Sequence, residues 1–189
     1  MSSVILTGDT SGTLTVSAPL VAGTNTLTLA AATGTLSPLV SGTAVASTSG
    51  TSIDFTGIPS WVKRITVMFQ GVSTNSSSHL QLQIGDSGGI ETSGYNGSAG
   101  YSTNYAADSA GFLFRTSIAA GTLSCGHLVL TYFGSNTWVQ SGVIGAANSD
   151  FVVSSGGYKT LSDTLDRIRI TTVNGTDTFD AGSINILYE

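Results

Sequence analysis

Beyond position 50, apolar and polar residues alternate with a period of two, the spacing of a β-strand with one buried face. In 62–70, Ile65, Val67 and Phe69 fall on one face, and Arg64, Thr66, Met68 and Gln70 on the other. Leu80, Leu82 and Ile84 alternate with His79, Gln81 and Gln83 in the same way. Further strands are expected over 111–117, 123–133, 137–144, 150–154, 165–173 and 183–188, separated by clusters of Gly, Asn, Ser and Asp. About eight strands result and no segment carries a helical period, so the expected class is all-β. That number of short strands fits a jelly-roll-like antiparallel β-sandwich better than an up-and-down barrel.

The first quarter of the chain follows a sparser pattern. Thr alternates with Leu or Val from Thr13 to Val16 and from Thr26 to Leu29, and Gly-Thr recurs at 12–13, 23–24 and 34–35. Asp9 is the one charged residue before Ile53, and no aromatic residue precedes Phe55. The apolar area such a segment can bury does not offset its conformational entropy. An ordered form therefore has to draw its core from other chains. Residues 1–50 are expected to form an extended oligomerisation and attachment stalk with Leu14, Val16, Leu27 and Leu29 at its contacts, and residues 51–189 a β-sandwich head.

Composition sharpens this division. Charged residues make up 9% of the chain against 40% hydrophobic, and the mean hydropathy is +0.27, which implies much uncharged surface or surface covered by neighbours. A net charge of -5, with no basic cluster beyond Lys63-Arg64 and Arg167-Ile168-Arg169, argues against a nucleic-acid partner. Cys125 is the single cysteine, so no disulfide framework and no cysteine-rich metal site is expected. Gly, Ser or Thr interrupts every apolar run well short of a membrane span, and the start lacks a basic n-region and an apolar h-region. Assembly in a cytoplasm without membrane insertion follows as an expectation.

Residues 87–108 hold Tyr95, Tyr101 and Tyr105 among Gly, Ser and Asn. They read as a long loop, and tyrosines in such a setting offer broad contact at small entropic cost. Tyr95, Asn96, Tyr101, Asn104 and Tyr105 are the candidate surface-recognition residues; packing on a neighbouring subunit is the other reading of the same loop.

Catalytic chemistry finds little foothold. His79 and His127 occupy polar-face positions of expected strands, and no Ser stands in a strand-turn-helix context. The carboxylate pairs Asp86 with Glu91, Asp163 with Asp166, and Asp177 with Asp180 are candidates for sugar cleavage, although turn stabilisation accounts for the last two pairs. Gly-rich 154–157 lacks the Lys of a Walker motif and the helix after it, and reads as a hairpin turn. No cofactor or metal is expected, and the chain is read as a non-enzyme.

Two N-terminal segments, Gly8 to Thr15 and Ala22 to Leu29, together with Gly57-Ile58-Pro59-Ser60-Trp61 and the closing Asp177-Thr178-Phe179-Asp180-Ala181-Gly182, resemble the trimeric fibre and spike proteins of tailed-bacteriophage virions. The resemblance implies a homotrimer located in the virion that contacts other virion proteins of the tail, the baseplate or the major capsid, with host-surface glycan as a candidate ligand. The chain opens almost directly on shaft-like repeats, which favours a short tail or baseplate fibre or spike and leaves a capsid decoration protein as the alternative. A carbohydrate-binding or glycan-cleaving module is the remaining reading.

Overall fold

The computed structural model describes residues 3–7, 13–17, 37–116 and 119–189. The chain divides into two units, residues 1–36 and residues 37–189.

In the first unit, β1 (Ser3–Thr7) and β2 (Thr13–Ser17) pair antiparallel, with Ser3 opposite Ser17 and Thr7 opposite Thr13. The Thr-Leu-Thr-Val alternation thus does form a strand. Ile5 and Val16 stay more than half exposed, at 59% and 54%. A two-stranded hairpin by itself is marginal in water. Leu14 lies in β2 opposite Leu6, while Leu27 and Leu29 fall outside the described residues.

The second unit is an all-β, antiparallel structure. Its strands are β3 (Val40–Ser41), β4 (Val45–Ala46), β5 (Ser52–Thr56), β6 (Arg64–Thr74), β7 (Leu80–Asp86), β8 (Gly89–Ile90), β9 (Asn96–Tyr101), β10 (Asn104–Ala106), β11 (Phe112–Arg115), β12 (Ser124–Gly134), β13 (Thr137–Ala146), β14 (Val152–Thr160), β15 (Arg167–Thr172) and β16 (Phe179–Tyr188). The large sheet runs β10-β9-β14-β13-β12-β6-β16-β3, with β4 also on β16. The small sheet runs β11-β7-β15-β5, with β8 on β7. No helix occurs among the described residues.

Alternation builds the core between the sheets. Ile65, Val67 and Phe69 of β6 are buried as their spacing requires, as are Leu128 and Leu130 of β12 and Ile184 and Ile186 of β16. The small sheet answers with Ile53, Leu82, Ile84, Ile168 and Ile170. Phe69 and Phe114 meet across the layers with centroids 4.8 Å apart. Each such side chain contributes about 1.5–3 kcal/mol by burial.

Three differences from the sequence pattern have physical causes. Residues 37–50 belong to the second unit, because β3 and β4 hydrogen-bond β16 and the fully buried Ser47 donates its hydroxyl to Ala181 O at 2.8 Å. Gln81 and Gln83, read as the solvated face of β7, are 3% and 5% exposed. The 110–111 segment covers them, with Gln83 donating to Ala110 O at 2.8 Å and a Cβ on Gly111 meeting Gln81 Oε1 at 2.6 Å. Finally, 154–157 is no turn: Gly156 and Gly157 sit in mid-β14, opposite Ser141 and Gln140.

Candidate functional site

The expected recognition loop is largely strand. β9 and β10 form a hairpin, with Asn104 opposite Tyr101 and Tyr105 opposite Gly100, and β9 extends the large sheet by pairing with β14. Glycine serves this pairing by close approach. A Cβ on Gly97 would meet Gly156 O at 2.7 Å, and one on Gly157 would meet Asn96 O at 2.5 Å.

The tyrosines part ways inside this frame. Tyr95 is 4% exposed and belongs to the core, which removes it from the recognition surface. Its ring meets Phe112 edge-on at 4.9 Å; its oxygen accepts the Ile84 N–H at 2.8 Å and donates to Glu91 O at 2.9 Å. Burial pushes the phenol's pKa up, so it remains a hydrogen-bond donor. Tyr101 is half-buried and stacked on Phe151 at 4.7 Å, beside a small core of Ala99, Leu113 and Val153. Tyr105 stands 75% exposed, and Asn96 and Asn104 are exposed with it.

Tyr105 walls a shallow depression of about 270 Å³ whose floor is Ser98, Ala99, Gly100, Ser154, Ser155 and Gly156. Gly100 seats the ring, since a Cβ there would meet Tyr105 Cδ1 at 2.6 Å. Ser155 Oγ accepts from Gln140 Nε2 at 3.0 Å, whereas Ser98 and Ser154 lie exposed on the floor. One aromatic face beside hydroxyls and exposed backbone is suited to a ligand with alternating C–H and O–H edges, as a saccharide has. The sequence pattern singles out Tyr105 but reads its surroundings as a loop and does not show this floor, because β14 contributes half of it from a strand distant in the sequence.

The densest charged cluster lies elsewhere. Asp86, 4% exposed, accepts Ser162 Oγ–H at 2.7 Å, Gly88 N–H at 2.8 Å and Asp163 N–H at 2.9 Å. Glu91 accepts the Ser162 N–H at 2.7 Å and forms an ion pair with Lys159, whose ammonium lies 5.6 Å from the Tyr95 ring centroid. The Ser162 hydroxyl and the Gly88 amide hold the Asp86 carboxyl below its ordinary range. Burial alone would raise Glu91, but Lys159 and Ser162 outweigh it and the net shift is downward. Through these contacts the pair ties 161–166 to the β7–β8 turn. Of the other carboxylates singled out, Asp163 accepts its neighbour Thr164 N–H at 2.7 Å, Asp166 pairs with Arg167 at 2.6 Å, Asp177 accepts Ser78 N–H at 3.0 Å, and Asp180 bonds Ser73.

Among the described residues no three His, Cys, Asp or Glu side chains gather as a metal-ion group, and no helix is long and apolar enough to cross a membrane. His127 lies exposed on the large sheet's outer face, and Lys63 rests its ammonium over Tyr132 at 4.2 Å.

The second unit is thus an antiparallel β-structure of two sheets whose candidate features are open surfaces. No protein-family model, curated protein or solved structure matches the chain.

Proposed function

We propose that the chain is a non-enzymatic structural protein of a tailed-bacteriophage virion, a homotrimeric short tail or baseplate fibre or spike assembled in the host cytoplasm. Its N-terminal stalk attaches to other virion proteins, and its jelly-roll-like head presents the Tyr105 depression to host-surface glycan. Sheet-switching connections at β6–β7, β11–β12 and β14–β15 support the jelly-roll reading of the head. The observation that carries the functional reading is the β1–β2 hairpin of the charge-poor N-terminal segment, on which Ile5 and Val16 are exposed and offer apolar surface to other chains.

Light scattering of the purified full chain tests the assembly, with a trimer mass expected and a monomer mass overturning it. Gold labelling of a tagged copy on intact virions tests the location, with label at the tail expected. Capsid decoration is the second reading, favoured by the sparsely charged outer face of the large sheet, where Arg64 is paired with Glu189, which suits packing into a shell. Label over the whole head, in many copies per particle, replaces the fibre with that reading.

A further inference from the structure

The chain holds 6 lysines and arginines, and all but Lys63 are engaged or enclosed. Glu189 pairs with Arg64, Glu91 with Lys159, Asp166 with Arg167 and Asp54 with Arg169, while Arg115 is buried. Lys63 is exposed and meets no carboxylate among the described residues.

Its place in the strand pattern sets it apart further. The Tyr132 amide donates to Lys63 O at 2.8 Å, which continues the β6–β12 pairing one residue beyond Arg64 and Thr131. By the two-residue period, Lys63 takes the face of Ile65, Val67 and Phe69, and Tyr132 takes that of Leu128 and Leu130. An ammonium thus occupies an inward position at the end of the core. β6 lies between β12 and β16, so the charge has no sheet edge to protect.

The ammonium lies 4.2 Å from the Tyr132 ring centroid, and that ring packs on the buried Trp138 at 5.5 Å. With Ser60, Asn136 and Thr164 these side chains line a pocket of about 90 Å³ that no carboxylate enters. Asn136 turns its backbone N–H to the Tyr132 hydroxyl at 3.5 Å, and Thr164 donates its own to Asp163. Their side chains and the Ser60 hydroxyl are left for a ligand. Pockets for whole small molecules begin near about 300 Å³, so this one admits a single group of a larger ligand.

We propose that the Lys63 pocket binds the carboxylate of an acidic sugar, a uronic acid. Lysine supplies a charge-assisted hydrogen bond, the tyrosine ring packs on C–H groups, and the amide and hydroxyls pair with sugar hydroxyls beside the carboxylate. A neutral sugar leaves the cation unpaired, and an acidic protein side chain brings no hydroxyls for Ser60, Asn136 and Thr164. The pocket shares no residue with the Tyr105 depression and does not depend on the virion reading.

Saturation-transfer NMR on the full chain tests the site, with the methyl glycosides of glucuronate and galacturonate as acidic probes and methyl glucoside as the neutral one. At least one acidic probe is expected to bind with a dissociation constant on the order of 1 mM, and the neutral glycoside at least about tenfold more weakly. The strongest transfer should reach the ring proton beside the carboxylate. Lys63→Met should weaken the acidic probe at least about tenfold, and about 1 M salt should act in the same direction through screening. Asn136→Gly, at a position where a φ of 57° suits glycine, removes the amide and is expected to weaken binding about threefold with the turn intact. Both variants should melt near the wild-type temperature. Equal binding of methyl glucoside, or of acetate, overturns the acidic-sugar ligand. Undiminished binding of the acidic probe in both variants overturns the pocket. Failure of both acidic probes to bind overturns the proposal and leaves the Tyr105 depression standing.

Discussion

The guanidinium of Arg115 lies over the ring of Phe151, with Cζ 4.9 Å from the ring centroid, in the interior of the sandwich where Arg115 has no exposed surface. Its Nη1 donates to Gly145 O at 3.3 Å, and Nε and Nη2 have no hydrogen-bond partner among the described residues. Burial depresses its pKa, the sign that the charged form is disfavoured there. A cation in this position is held by the fold rather than holding it.

Replacing that cation with an unbranched apolar side chain should therefore stabilise the protein. Arg115→Met is expected to raise unfolding free energy by about 1–3 kcal/mol, whereas Arg115→Ala, which leaves a cavity, lowers it. Urea titration of both variants checks the pair, and a loss of stability in Arg115→Met refutes the account.

Tyr95 and Tyr105 separate structure from recognition. Tyr95→Phe strands the buried Ile84 N–H and should cost about 1–3 kcal/mol in a thermal melt, with no change in ligand binding.

Tyr105→Ala should behave in the opposite way, staying within about 0.5 kcal/mol of wild type while abolishing retention on host-surface polysaccharide. Gly156→Val provides an independent block. A Cβ there meets only Gln140 O, at 3.8 Å, so the valine fits the strand and fills the floor. Retention of polysaccharide by both variants excludes the depression as the binding site.

Acid should loosen the 161–166 connection. The folded pKa of Asp86 lies below its ordinary 3.8, so the stability it contributes is complete above the unfolded value and is lost as pH falls through the folded one. Melting temperature is expected to fall from about pH 4 downward, and Asp86→Asn to be less stable at neutral pH with a flatter acid limb. Differential scanning calorimetry across that range reads both.

A lysine in the N-terminal segment tests its role. Val16→Lys or Leu27→Lys should place an unpaired charge between chains and cost the assembly about 3 kcal/mol or more. Wild-type sedimentation of both variants reduces that segment to a tether.

Much of the core was legible because it obeys a local rule. Ile65, Val67 and Phe69 alternate, and a period of two leaves them no choice but one face. Tyr95 was misplaced because its neighbours Gly94 and Asn96 are turn residues by composition. What buries it is Phe112 and the amide of Ile84, neither of them adjacent in sequence. The Gly156-Gly157 pair was misread for the same reason, since its glycines answer to the close approach of Gly97 and Asn96 across the β9–β14 pairing.

Strand class, the alternating core positions and the scarcity of charge are properties of residue type and spacing, and the chain alone determined them. The tertiary structure decided which tyrosine is inside, that 37–50 joins the second unit, and which distant charges meet, Arg169 with Asp54 on the small sheet and Lys159 of the large sheet with Glu91. Those outcomes depend on register between strands far apart in sequence, and register is set by the packing of both sheets together rather than by any segment on its own.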